Sequence, residues 1–198
     1  FVALYVASSE ALLSMIFSSK IVFFGLIIAQ LGLVFVLSGM VHKMSGAMAT
    51  SLFMLYSVLT GVTISSVLLL YTASSIASTF FICAAMFGAL SIYGYTTKRS
   101  LTGMGSFLFM GLIGIIIASI VNIFMQSSMM SMVISYAGVL IFAGLTAYDT
   151  QKLKDMGNEI NQEDKENMRR YSIMGALTLY LDFINLFLML LRILGDRR

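Results

Sequence analysis

Long, nearly uninterrupted apolar runs are the feature that most constrains what this chain can fold into. Seven stretches approach the roughly 20 apolar residues that a membrane-spanning helix requires. We predict spans at about 1–17, 21–41, 49–71, 74–96, 106–126, 130–150 and 171–194. Helices are favoured over strands because the runs are about twice as long as a membrane β-strand and lack its alternation. The prediction is an all-α, polytopic protein in which residues 1–198 form a single transmembrane domain.

Composition supports a membrane protein, since 59% of the residues are hydrophobic and only 11% are charged. Ordinary soluble domains contain much less apolar and more charged sequence. The chain begins at Phe1 within apolar sequence, so we expect the first span to be truncated. The lipid bilayer is therefore the first partner that the sequence predicts, and no cofactor motif accompanies it.

Basic residues between the spans predict the orientation. Placing the links 42–43, 98–99 and 151–170 on one side collects eight of the twelve Lys and Arg residues there. The positive-inside rule makes that side cytoplasmic. Seven spans then place the N-terminus in the cytoplasm and the C-terminus outside, unless the last span turns back within the membrane. The net charge of +3 includes no dense basic run, which argues against nucleic acid as a partner.

Two aspartates lie where a carboxylate is costly. Asp149 ends the sixth span in "LTAYDTQKL", and Asp182 lies near the middle of the seventh span. An aspartate at the bilayer centre costs about 2.5–3.5 kcal/mol even on a lenient insertion scale. Steps of three and four residues place a polar stripe on the last span, formed by Gly175, Thr178, Asp182, Asn185 and Met189. We expect this stripe to face protein or water rather than lipid.

A shared site for Asp149 and Asp182 has a chemical consequence. Two carboxylates cannot both ionise cheaply in a low dielectric, so the pair would hold one proton between them. That contact forms at low pH and is lost as the pH rises, after which repulsion pushes the helices apart. The opened site offers carboxylate oxygens, Asn185 and backbone carbonyls, which are hard ligands of the kind that calcium prefers. We therefore predict transient calcium contacts at both aspartates.

A simpler alternative stays open, in which each aspartate makes a separate buried hydrogen bond and Asp149 is wet at the interface. Asp182 lies eleven residues past Tyr171, or about 16 Å at the helical rise. Direct contact with Asp149 therefore requires that the first turns of the last span extend into the cytoplasm, or that a water-filled vestibule reaches Asp149.

Three segments carry a resemblance to a known family. They are "YDTQKL" at 148–153, "LYLDFINLFLMLLRILG" at 179–195, and the block 60–114. All resemble the Bax inhibitor-1 family, also called the transmembrane Bax inhibitor motif family, over nearly the whole chain. The resemblance implies seven helices with a central last helix, and a pH-sensitive calcium leak gated by two hydrogen-bonded aspartates. The matching positions are Asp149 and Asp182, and we predict Asn185, Thr178 and Tyr148 as their neighbours.

The sequence departs from some relatives at two places. An acidic residue of their second span is replaced by Gln30, and an arginine at the end of that span is replaced by His42 and Lys43. We predict these three residues as further pore or gate neighbours, with an ionic latch to Asp149 left unassigned. The lysine-rich tail of eukaryotic members is missing, which favours a bacterial inner membrane protein.

Two other functions compete with a leak. One is a non-conducting regulator that acts by binding other membrane proteins. The other is an intramembrane aspartyl protease, which also places Tyr-Asp on one helix and a second aspartate on the next. Those enzymes have Gly-x-Gly-Asp at the second aspartate and a Pro-Ala-Leu motif, whereas this chain has Leu-Tyr-Leu-Asp and contains no proline. We therefore do not expect an enzyme.

Overall fold

The computed structural model describes residues 2–159 and 164–197, without the side chains of Lys20, His42 and Glu159. These residues form eight α-helices and a short 3-10 turn at Val41–Lys43. The helices are α1 (Val2–Ala7), α2 (Glu10–Phe17), α3 (Lys20–Met40), α4 (Gly46–Leu68), α5 (Ala73–Thr96), α6 (Thr102–Met125), α7 (Ser128–Glu159) and α8 (Lys165–Leu194). The predicted all-α class is confirmed.

Six of these helices, α3 to α8, are long and apolar enough to cross a membrane. The predicted first span at 1–17 is instead divided into α1 and α2, which have 6 and 8 residues and are each too short to cross alone. Two serines cause the break. Ser8 donates a hydrogen bond to the Leu4 carbonyl, whereas Ser9 has an extended backbone and accepts from the Leu12 amide as the N-cap of α2.

The link at 151–170, whose charged sequence predicts a solvated loop, is largely helical. Helix α7 continues to Glu159 and α8 begins at Lys165, while residues 160–163 lie outside the described part. Asp164 caps α8 by accepting from the Asn167 amide, and a Glu166–Arg170 ion pair of 3.6 Å supports the first turns. The polar residues of this link therefore show where the apolar runs end, but the two helices continue into them.

The chain forms two compact units. The first unit contains α1 to α4 and the first turns of α8, up to Leu177. Within it, α1 and α3 both pack against α4. The start of α8 also contacts the start of α4, because the Glu166 carboxylate accepts from the Gly46 amide and the Arg169 side chain covers Gly46. A polar contact thus fixes one end of α4.

The second unit contains α5, α6, α7 and the part of α8 from Thr178 onward. Its helices approach closely at two glycines. A Cβ atom on Gly94 of α5 would overlap the Ala147 carbonyl of α7, and a Cβ atom on Gly105 of α6 would lie 2.5 Å from the Tyr148 ring. These contacts fix the segment of α7 that immediately precedes Asp149.

Candidate functional site

A cavity of about 840 Å³ lies in the second unit and is lined by α6, α7 and α8. Apolar side chains of α6, such as Phe109 and Ile116, form much of its wall. Eight polar side chains also line it: Ser106, Ser119, Tyr148, Asp149, Lys152, Thr178, Asp182 and Asn185. A mostly apolar cavity with a few convergent polar groups is the usual form of a binding or transport site.

The carboxyl groups of Asp149 and Asp182 lie within hydrogen-bonding reach of each other in this cavity. Asp182 is only 5% exposed, and its buried Oδ2 has no hydrogen-bond partner among the described residues. Because two ionised carboxylates are acceptors only, a hydrogen bond between them requires a proton on one of them. The geometry therefore suits a pair that holds one proton.

Helix length explains how the two side chains reach each other. Helix α7 continues past Asp149 to Glu159, and α8 already begins at Lys165, well before the predicted start of the last span. The first turns of α8 thus extend beyond the apolar run, which is one of the two conditions that direct contact required. Helix α7 thus continues beyond the end of its apolar run, and α8 begins before the start of its own.

Contacts on both sides of Asp149 hold it in place. Tyr148 packs against Gly105 of α6. Gln151 is 9% exposed, and its amide joins α7 to the link between α5 and α6. Its Oε1 accepts from the Leu101 amide at 2.7 Å, and its Nε2 donates to the Arg99 carbonyl at 2.9 Å. The backbone that carries Asp149 is therefore fixed by packing and by hydrogen bonds.

The three predicted neighbours Thr178, Asn185 and Tyr148 line the same cavity as the pair. The Nδ2 of Asn185 donates to the Leu181 carbonyl of its own helix at 2.8 Å. This bond uses an N–H donor and does not involve the amide oxygen, which is the acceptor of the Asn185 side chain. The structure brings these side chains together, and their roles in a gate stay predictions.

The other three predicted neighbours belong to the first unit. Gln30 donates from Nε2 to the Leu26 carbonyl at 3.2 Å and to Thr63 Oγ1 at 2.6 Å, so it joins α3 to α4. Lys43 is exposed in the 3-10 turn, and the His42 side chain lies outside the described part of the chain. Neither Gln30 nor Lys43 is among the side chains that line the Asp149 cavity.

Lys152 is a site residue that the sequence analysis missed, because that analysis used its charge only to predict the orientation of the spans. It lines the cavity and interacts electrostatically with Asp149, three residues earlier on α7. The available signal was the i, i+3 spacing of opposite charges, which places both side chains on one helix face. Among the described side chains, Asp149 thus has a cationic neighbour on its own helix.

The donor set fits a transient cation better than a resident metal. Calcium takes six to eight oxygen ligands. The described residues contain no group of three or more His, Cys, Asp or Glu side chains that could hold a metal. Two carboxyl groups and one amide oxygen can replace part of the hydration shell of a passing ion. They do not amount to a closed coordination cage.

Six span-length helices define an α-helical, polytopic membrane protein, and one of its cavities contains a pair of carboxyl groups. The family model described as "Inhibitor of apoptosis-promoting Bax1" matches residues 1–198. The chain therefore belongs to the Bax inhibitor-1 family, as the sequence motifs predicted.

Bacterial relatives agree with this assignment. The inner membrane protein YbhL of Escherichia coli K12 is 60% identical over 198 residues, which cover 100% of this chain and 85% of YbhL. An uncharacterized protein of Borreliella burgdorferi is 51% identical over 192 residues, or 97% of this chain and 82% of the relative. An "uncharacterized membrane protein" of Streptococcus pyogenes is 41% identical over 186 residues, or 94% of this chain and 80% of the relative.

Proposed function

We propose that this protein forms a slow, passive cation leak, with calcium as the permeant ion and the Asp149–Asp182 pair as a pH-sensitive gate. The observation that carries the proposal is the close approach of two carboxyl groups from different helices in one cavity. A charged group inside a membrane-spanning helix is costly and generally marks an ion or proton pathway. The family resemblance of the two aspartate motifs supports the same reading.

The gate follows from the titration of the pair. At low pH one shared proton joins α7 to α8. As the pH rises, the second carboxyl loses that proton, and two negative charges then repel each other strongly in the low dielectric. The contact is therefore present at low pH and lost at higher pH. The ionised oxygens become ligands for a cation, and Lys152 offers Asp149 an alternative partner once Asp182 has separated from it.

The proposal includes a location and a topology. We place the protein in the bacterial inner membrane, because the relative YbhL carries that description. We also retain seven crossings around a central last helix, with α1 and α2 together forming the first crossing and the N-terminus in the cytoplasm. In support, a third of the apolar part of α8 is buried, the same share as in α7 and a larger share than in α3 to α6. Reporter fusions at both ends test this, since seven crossings place the termini on opposite sides and six place them on the same side.

Calcium flux into proteoliposomes from pH 5 to pH 8 tests the gate. Wild-type protein should show flux that rises with pH. Asp149→Asn and Asp182→Asn should each remove most of that dependence, because ionisation of the one remaining carboxyl creates no second negative charge to push α7 and α8 apart. Asp155→Asn is a matched control, since it removes an exposed carboxylate that lies on the same helix as Asp149 and does not line the cavity. It should behave as wild type.

Two results contradict the proposal. Equal pH dependence in all four proteins would mean that the pair is not the gate. Equal impermeability in all four would exclude a leak and would favour the non-conducting regulator that binds other membrane proteins. Circular dichroism of each variant establishes that a lost dependence does not reflect a lost fold.

A further inference from the structure

A second, polar recess lies in the second unit, where α5 ends and α6 begins. Its volume is about 550 Å³, and it shares no lining residue with the Asp149 cavity. Its wall combines the link between α5 and α6 with one face of α7. The polar side chains that face it include Thr96, Thr97, Lys98, Ser100, Lys154 and Asp155.

Hydrogen bonds hold this link in one shape. The buried Gln151 amide joins both the Leu101 amide and the Arg99 carbonyl, at 2.7 and 2.9 Å. Thr97 Oγ1 accepts from the Arg99 amide at 3.3 Å. On the opposite wall, Lys154 Nζ donates to the Tyr95 carbonyl at 2.9 Å. The backbone of the link and the Lys154 ammonium are thus positioned before any ligand arrives, which lowers the entropic cost of binding.

The charge of the recess is positive. Lys98 and Lys154 supply two ammonium groups against the single carboxylate of Asp155. In the described part of the chain, Asp155 forms no ion pair with either lysine. Lys154 uses one of its three N–H donors on the Tyr95 carbonyl, so two are left. Phosphate oxygens accept hydrogen bonds from ammonium and hydroxyl groups, and both kinds of donor face this recess.

The surroundings favour a lipid as the source of that phosphate. Three exposed side chains lie in the last two turns of α5, namely Ile92, Tyr93 and Tyr95, and the Lys154 ammonium lies 5.2 Å from the Tyr95 ring centroid. Exposed aromatic rings at the end of a span are typical of the headgroup layer. Acyl chains would find apolar surface directly beside the recess. The link 97–101 is also one of the basic links predicted on the cytoplasmic side, where anionic lipids attract lysine.

We propose that this recess binds the phosphate group of an anionic phospholipid headgroup. The site is independent of the leak, and a lipid there would clamp the link between α5 and α6 onto α7. Lys98 and Lys154 would bind the phosphate oxygens, with the Thr97 hydroxyl as a further donor. Asp155 would weaken the binding, and it would disfavour a second negative charge in the recess.

Binding of short-chain phosphatidylglycerol to the detergent-solubilised protein tests the proposal by native mass spectrometry. Phosphatidylcholine with the same chains should bind about tenfold more weakly, because its ammonium group is repelled by the two lysines. Equimolar inorganic phosphate should not compete. Equal binding of both lipids, or displacement by inorganic phosphate, would overturn the assignment to an anionic lipid.

Three variants separate the recess from general surface charge. Lys98→Gln should weaken phosphatidylglycerol binding about tenfold, as expected for one charge-assisted hydrogen bond. Asp155→Asn should strengthen binding. Arg99→Gln is the matched control, since Arg99 is an exposed neighbour that does not line the recess, and it should change the affinity by less than about threefold at moderate salt. Equal losses for Lys98→Gln and Arg99→Gln would refute a specific site, provided that thermal unfolding without lipid is unchanged.

Discussion

Gln30 and Asp182 are both polar side chains in the middle of an apolar helix, and the structure treats them differently. Gln30 of α3 donates to a carbonyl of its own helix and to Thr63 of α4, so its amide is satisfied by neighbouring protein. Asp182 of α8 lines a cavity and lies next to the carboxyl group of Asp149. Its buried Oδ2 has no hydrogen-bond partner among the described residues. Both were predicted as gate or pore residues.

The difference shows that polarity within a span is not sufficient to indicate a pathway. A side chain whose hydrogen bonds are completed by an adjacent helix contributes to packing, as polar groups commonly do in membrane proteins. A buried titratable group whose hydrogen bonds are not all formed is destabilised, which favours a change in its protonation or in its partner. We therefore propose a structural role for Gln30 and a functional role for Asp182, and three predictions test that division.

The largest effect concerns the close packing that positions the partner of Asp182. Gly94→Ala should destabilise the protein by about 3 kcal/mol, because the new methyl group would overlap the Ala147 carbonyl two residues before Asp149. Thermal unfolding in detergent measures this loss. Gly88→Ala is the control on the same helix, where nothing lies within 4 Å of the added atom, and it should be neutral or slightly stabilising. Equal behaviour of both variants would mean that α7 is not fixed next to Asp149.

A smaller effect tests the structural role of Gln30. A double-mutant cycle with Gln30→Leu and Thr63→Val should give a coupling energy of about 0.6 kcal/mol, the usual size for a polar contact between membrane helices. Thr63 keeps its bond to the Leu59 carbonyl when Gln30 is removed, which limits the loss. The pH dependence of calcium flux should be unchanged in Gln30→Leu. A changed dependence would place Gln30 with the gate and remove the contrast with Asp182.

Sequence reasoning predicted the fold class and six long helices because each apolar run exceeds the length needed to cross a membrane. It predicted one continuous first span because a hydropathy profile averages over Ser8 and Ser9. In the structure, these two serines lie between α1 and α2, and Ser9 is the N-cap of α2. It also assigned a loop to 151–170. A hydropathy profile gives low values both for a charged helix and for a solvated loop, so it does not distinguish the two.

The candidate site was predictable only in part. The cost of a buried carboxylate drew attention to Asp149 and Asp182 before any geometry was known. Glycine spacing gave no means of separating Gly94, which has no room for a Cβ atom, from Gly88, which has ample room. Lys152 was missed because the end of α7 was placed before it, so that its spacing from Asp149 was never considered as helical.

The smallest predicted effect concerns Lys152, the cationic neighbour of Asp149. Gln30, by contrast, donates to a carbonyl and to a hydroxyl group. The positive charge of Lys152 favours the ionised form of Asp149, so Lys152→Gln should let the pair keep its proton to a higher pH. We expect the midpoint of the flux profile to move upward by about 0.3 pH unit, the size of one exposed pair at this helical spacing. Lys152→Arg preserves the charge and should leave the midpoint in place. A downward shift, or an equal shift in both variants, would show that Lys152 acts through packing rather than charge, and that the protonation of Asp149 and Asp182 is set by the pair alone.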